Sequence, residues 1–218
     1  PSVVTCRAET KGKHRMAGTE LVLLEFIQEN LRSGCMDLFM VFVTDMGNLG
    51  AIWLVVAAAL LLRGEERKTG IAIAAALVLA FVAGGIVIKP LVARIRPCDI
   101  DTTVRLLIDR PRDFSFPSGH ASSSFAAVTV LFLAGSTWRR PAAVLAALIA
   151  FSRLYLFVHY PSDVIAGILL GMLCGYGAWQ VSGRLNRWIS ARRGSDAPAL
   201  SKGRRKSESA DVDGRGSI

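Results

Sequence analysis

The 218-residue chain holds only four cysteines and three histidines. The cysteines, Cys6, Cys35, Cys98 and Cys174, are scattered with no C-x-x-C pair, which argues against zinc and leaves a disulfide framework unsupported. Cys174 lies in an apolar run and reads as a small packing residue. The carboxylate cluster or His/Cys set that a hydrolytic metal centre needs is also missing. No cleavable signal peptide is visible, because the first hydrophobic patch, Leu21–Ile27, is broken by Glu25. Internal segments would then have to direct membrane insertion. Met16 is a candidate start, with residues 1–15 as an upstream extension.

Charge is almost absent from five stretches: Ala51–Leu62, Ile71–Ile88, Phe125–Ser136, Ala142–Phe157 and Val164–Val181. The chain is nonetheless 52% hydrophobic with a net charge of +9, so apolar and basic residues are segregated. Helices buried in water-soluble proteins keep a polar face, and these stretches have none. A soluble helical core is thereby disfavoured, and runs approaching 17–25 apolar residues suit a bilayer. The expected fold is all-α, an integral membrane helical bundle of five to six transmembrane helices.

Residues 1–18 form a polar N-terminal extension, 19–193 a membrane-embedded domain, and 194–218 a basic, polar tail expected to be disordered and cytoplasmic. Thr19–Arg32 has apolar residues at helical spacing and reads as an amphipathic helix at the membrane surface. Met36–Met46 is too short to cross at 1.5 Å per residue and ends in the turn "TDMGN", a partial sixth span at most. The five spans are Leu49–Leu62, Thr69–Ile88, Gly119–Ser136, Pro141–Val158 and a last one running from "HYPSD" to about Gly183. In that last helix Gly167, Gly171 and Gly175 recur every four residues, as close helix packing in a membrane requires. Basic residues in "RGEERK", "TWRR" and the tail put those segments in the cytoplasm. The 89–118 excursion and "HYPSD" then face outward.

Three polar clusters share that outer face. "KPLVARIRP" places Lys89 and Arg96 seven residues apart, about two helical turns, at the end of the second span. "PSGH", Pro117–His120, opens the third span, with Ser118 in an N-cap position. "SRLYLFVHYPSD" holds Arg153, His159 and Asp163. Lys89 and Arg96 alone would read as snorkelling anchors, but Arg153 sits inside an apolar span, where a charge needs a cavity or partner. Cations beside a free helix N-terminus describe a phosphate site. His159 with Asp163 describes a positioned nucleophile or base, leaving His120 as general acid.

In order and spacing, "K-x6-RP", "PSGH" and "SR-x5-H-x3-D" resemble the signature of the type-2 phosphatidic acid phosphatase family, over about Met36 to Gly183. The resemblance implies catalysis by His159, His120 and Asp163, with a phosphohistidine on His159. It implies phosphoryl binding by Lys89, Arg96, Ser118, Gly119 and Arg153, with no metal or other cofactor. The expected protein is a metal-independent hydrolase of a phosphomonoester or diphosphate headgroup on a lipid: undecaprenyl diphosphate, phosphatidylglycerophosphate or phosphatidate. Its expected partners are that amphiphile and membrane lipid, with no nucleic acid and no obligatory protein partner. Its expected place is the cell membrane, multi-pass, with an extracytoplasmic site. The alternative is a non-catalytic lipid-phosphate binder or flippase, which would be expected to lose His159 or His120. Haloperoxidase or soluble acid phosphatase activity is opposed by the spans.

Overall fold

The computed structural model describes residues 18–195. The expected N-terminal extension before Gly18, the candidate start Met16 and the expected tail from residue 196 lie outside the described residues. Regular structure within them is entirely helical. Helix α1 covers 18–30, α2 Gly34–Met46 and α3 Ala51–Leu62, with a 3-10 turn Asn48–Gly50 between the last two. Helix α4, Arg67–Ala80, widens into a π-helical stretch, Phe81–Ile88, and continues as the short α5, Lys89–Val92. A second short helix, α6 (Pro97–Ile100), precedes the long excursion; α7 is Gly119–Leu133, α8 Arg139–Tyr155 and α9 Pro161–Ser195.

Every expected span is a helix, but their reach differs from expectation. Two are long and apolar enough to cross a membrane, Arg67–Ile100 and Pro161–Arg184. A third arises if α2 and Asn48–Leu62, bent by 47° at the break, count as one broken span. Met36–Met46 is therefore half of a kinked pair with the segment expected to be the first complete span. The kink has a local cause: Leu49 and Gly50 take positive φ, 51° and 70°, which a helix cannot propagate. Helix α7, at 15 residues, is apolar but short.

Small side chains are prominent between the helices, and many large apolar ones face outward. Ala72, Ala76, Ala126, Ala127, Ala146 and Ala178 are buried, while Leu38, Val55, Leu62, Phe81 and Leu173 are exposed by 62–89%. Lipid solvates those large side chains as well as protein does, so association must come from close backbone approach and specific polar contacts. Both are present. Helix α7 packs on α4 and α8, and buried Trp53 on α3 donates its indole N–H to Ser124 Oγ on α7 at 2.9 Å.

The glycine spacing is used as expected. A Cβ at Gly167 would lie 2.6 Å from Ser118 O and one at Gly175 2.5 Å from Ala126 O; at Gly171 it would collide with Ser122 O. Helices α9 and α7 therefore meet main chain to main chain, directly below the "PSGH" turn. The described residues divide into two units between Ser182 and Gly183; all contacts discussed belong to the first.

Gly171→Ala should therefore lower stability by about 1–3 kcal/mol, the usual cost of overpacking. Gly177→Ala, whose Cβ meets nothing within 4 Å, should be neutral or gain up to about 1 kcal/mol. Thermal unfolding in detergent compares them, and equal midpoints would rule out the close contact.

Candidate active site

Each polar cluster is positioned by the end of a helix. Helix α5 stops at Ala93, whose φ of 47° ends the helical run. Arg96 then sits in extended backbone as the N-cap of α6. Lys89 and Arg96 meet because the helix breaks between them, which replaces the two-turn spacing expected from the sequence. Ser118 caps α7, its hydroxyl accepting from Ala121 N at 3.5 Å. Arg153 lies in the last turn of α8, and Asp163 in the first turn of α9. His159 occupies the tight connection between these helices, just after Phe157, held at φ 59° with its ring fully buried.

One cavity of about 1230 Å³ gathers most of the expected residues. Its lining includes Lys89, Arg96, Gly119, His120, Arg153 and His159 together with apolar Leu54, Leu77, Val78 and Phe81. Ser118 and Asp163 are not on its wall. Ser118 is fully buried with its hydroxyl turned to the helix start, and Asp163 is fully buried behind His159.

The hydrogen bonds assign both imidazoles. Arg96 Nη1 lies 3.1 Å from His159 Nε2. A guanidinium can only donate, so Nε2 accepts and the ring proton sits on Nδ1. That Nδ1 faces Asp163 Oδ2 at 3.6 Å, with Ser115 Oγ at 3.4 Å. Burial pushes the His159 ring down to about 3 over the opposing pull of Asp163, so it is neutral, with the Nε2 lone pair engaged by Arg96 Nη1. His120 is the reverse: its Nε2 lies 3.1 Å from Asn48 Oδ1, an acceptor, and therefore carries the proton. Close approach at Gly47 keeps that ring in place, since a Cβ there would stand 2.8 Å from His120 Cδ2.

Asp163 is held from all sides. Arg94 Nη1 donates to Oδ1 at 2.6 Å; Ser115 Oγ and Tyr160 N donate to Oδ2. Its carbonyl accepts from Ser118 N at 3.0 Å, joining the "PSGH" turn to α9. Arg94 also pairs with Glu20 of α1 and lies 3.9 Å over the Tyr160 ring. The cations are partnered unevenly. Arg153 is 4% exposed and donates Nη1 to Thr44 Oγ1, yet its Nε is the one buried side-chain nitrogen or oxygen among the described residues without a partner. Asp113 bridges Lys89 and Arg96. Burial opposes its ionisation, but those two cations outweigh it and hold the carboxyl at about 2.

Sequence reasoning missed Arg94, Asp113, Ser115, Asn48 and Thr44. A signal existed for three of them. Arg94 stands two residues before Arg96, and Asp113 and Ser115 alternate in "RDFSFPSGH", where an extended chain sends neighbours to opposite sides. Taken together, the arrangement offers a buried imidazole whose Nε2 is an acceptor, a second imidazole bearing an Nε2–H, and three cations around one cavity.

Residues 49–187 match the PAP2 superfamily. The chain is 33% identical over 171 residues to the undecaprenyl-diphosphatase of Sulfolobus acidocaldarius, spanning 78% of this chain and 82% of that protein. It is 39% identical over 126 residues to the decaprenylphosphoryl-5-phosphoribose phosphatase of Mycolicibacterium smegmatis, spanning 57% of this chain and 67% of that one. Its fold superposes on the crystal structure of Aquifex aeolicus LpxE with a TM-score of 0.64 and 28% identity, over 73% of this chain and 94% of that one.

A neutral buried His159 has a measurable consequence. Its folded value of about 3 lies below the ordinary 6.5. The stability it supports is whole above pH 6.5 and falls as pH drops towards 3, because only the unfolded ring takes up a proton there. The difference in unfolding temperature between wild type and His159→Gln should shrink or reverse from about pH 8 to about pH 4.5. A difference that stays constant would show the ring to be exposed, and one that grows at low pH would show it to be charged.

Proposed function

The chain belongs to the PAP2 superfamily, and several of its relatives are named phosphatases; from that premise we propose that it removes a terminal phosphoryl group from a membrane amphiphile through a phosphohistidine. The observation that carries the proposal is the buried, unpartnered Arg153 Nε in a cavity that also holds Lys89, Arg96 and His159. A buried donor without an acceptor costs about 1–3 kcal/mol, and a phosphoryl oxygen would satisfy it.

In this mechanism His159 Nε2 attacks phosphorus as the bond to the leaving oxygen breaks. His120, entering the step as the imidazolium, gives its Nε2 proton to that oxygen and is left neutral. Lys89, Arg96, Arg153 and the Gly119 N–H hold the three equatorial oxygens, where charge spreads in the transition state. Ser118 contributes by capping α7 and so aiming that amide. Asp163, facing the Nδ1 proton, stabilises the positive ring of the intermediate. Water then attacks phosphorus with His120 as base, the P–N bond breaks, and inorganic phosphate and neutral His159 result. The cations supply the charge neutralisation a metal would otherwise provide, so the reaction runs without one.

The cavity supports an amphiphilic substrate, because its lining combines the cations with apolar Leu54, Leu77, Val78 and Phe81. A headgroup can sit at His159 while its chain stays among apolar side chains. Two relatives named for undecaprenyl and decaprenyl lipids favour a polyprenyl-linked phosphate. The site faces outward and the C-terminus the cytoplasm, a reading supported by the basic segments between the helices.

His159→Ala should abolish phosphate release from polyprenyl diphosphate, phosphatidylglycerophosphate and phosphatidate alike, and turnover near the wild-type rate would end the nucleophile assignment. Chelation by EDTA should leave wild-type turnover intact. Ser115→Ala should lower kcat about 10–100-fold with KM little changed, the usual size of an orienting-partner loss. A change confined to KM would show that Ser115 does not act through Asp163.

A further inference from the structure

Lys89 and Arg96, two of the three cations at the reacting end, both terminate on one carboxylate that the proposed chemistry does not use. Asp113 Oδ1 accepts from Arg96 Nη2 at 2.7 Å, and Oδ2 accepts from Lys89 Nζ. The rest of Arg96 is committed to the protein: Nε donates to Asp113 O at 2.8 Å, and Nη1 to Val158 O at 2.7 Å and towards His159 Nε2. Nη2 has one further contact, Phe114 O at 3.2 Å. The one Arg96 donor left for a ligand is thus the one Asp113 covers.

Resting on the reading of the cavity as a phosphoryl-transfer site, we propose that Asp113 is an internal stand-in for the phosphoryl group, holding Lys89 and Arg96 while the site is empty and yielding them to substrate. Carboxylate and phosphoryl oxygens bind these cations by the same charge-assisted hydrogen bonds. The two cations are nearly buried, at 11% and 3% side-chain exposure, whereas the Asp113 side chain is 56% exposed. It reaches them from the open side and can return to water at little cost.

Only the side chain has to move. The backbone is pinned by Arg96 Nε on Asp113 O and by Ser115 N on Arg94 O at 2.8 Å. The stand-in is also incomplete: one negative charge satisfies two cations and leaves Arg153 Nε unpartnered. A dianionic phosphoryl group answers all three, so displacement favours dianions over monoanions. The same competition works on the product, since Asp113 returning to Lys89 and Arg96 helps expel inorganic phosphate. Asp113 is in this sense a specificity-determining residue that weakens every ligand by the fraction of time it occupies the site.

The test is product inhibition. If Asp113 closes the site about nine-tenths of the time, Asp113→Asn should lower the inhibition constant of inorganic phosphate about tenfold. KM for polyprenyl diphosphate should fall in parallel while kcat does not rise; Asp113→Glu, which keeps the charge, should stay close to wild type. An unchanged or higher inhibition constant in Asp113→Asn overturns the proposal, given a wild type that hydrolyses the lipid. A wild type that neither hydrolyses any lipid phosphate nor is inhibited by phosphate overturns the phosphatase reading with it. Should Asp113→Asn fail to fold, wild type alone decides: saturating sulfate should increase carbodiimide labelling of Asp113, read by mass spectrometry against chloride at equal ionic strength. Unchanged or reduced labelling means the carboxylate stays put, and the proposal falls.

Discussion

Asp163 is the constraint on which the arrangement depends. A fully buried carboxylate costs several kcal/mol unless its oxygens are answered by donors and charge, and no single segment of this chain can answer them. Arg94 comes from the turn after α5, Ser115 from the excursion and Tyr160 from its own connection, while the Ser118 amide of the "PSGH" turn bonds the Asp163 main-chain carbonyl. Satisfying one carboxylate therefore requires three sequence-distant motifs to assemble. Through Arg94 and Ser162 the requirement reaches Glu20, so the surface helix α1 is tied to the same point.

Around that hub the charges differ in kind. Arg94 is structural, spent on Asp163, Glu20 and the face of Tyr160. Lys89, Arg96 and Arg153 line the cavity, with a carboxylate on two of them and an open donor on the third. Sequence position does not separate the two kinds, since Arg94 and Arg96 are two residues apart. Their partners do: Arg94 bonds Ser162, Asp163 and Glu20, whereas Arg96 bonds Asp113, Phe114 and Val158.

Much of this was legible before any coordinates. The helices, the "TDMGN" turn, the cap at Ser118, the start of α9 at Pro161 and the glycine contact all follow from local rules of spacing and capping. The cavity likewise collects Lys89, Arg96, Gly119, His120, Arg153 and His159. What stayed hidden depends on pairing across long separations. Ser115 meets Asp163 across 48 residues and Asn48 meets His120 across 72, and no periodicity encodes either. The helical explanation for Lys89 and Arg96 failed because an alanine, with nothing in its identity to announce it, takes the left-handed conformation. The expected five to six spans met a limit of length. Helix α7 has 15 residues, which at 1.5 Å each is about 22 Å, short of a hydrocarbon core of about 30 Å.

The glycines of α9 bear on how freely such a protein can change. Where helices are held by interlocking side chains, each substitution in one obliges a reply in the other. Here Gly167, Gly171 and Gly175 lay bare backbone against the backbone of α7, and backbone is the same whatever residues surround it. The outward faces of both helices are then free to drift, accommodating another bilayer or another lipid chain, while the distance between the "PSGH" turn and His159 stays put. What has to be inherited at that contact is three missing side chains.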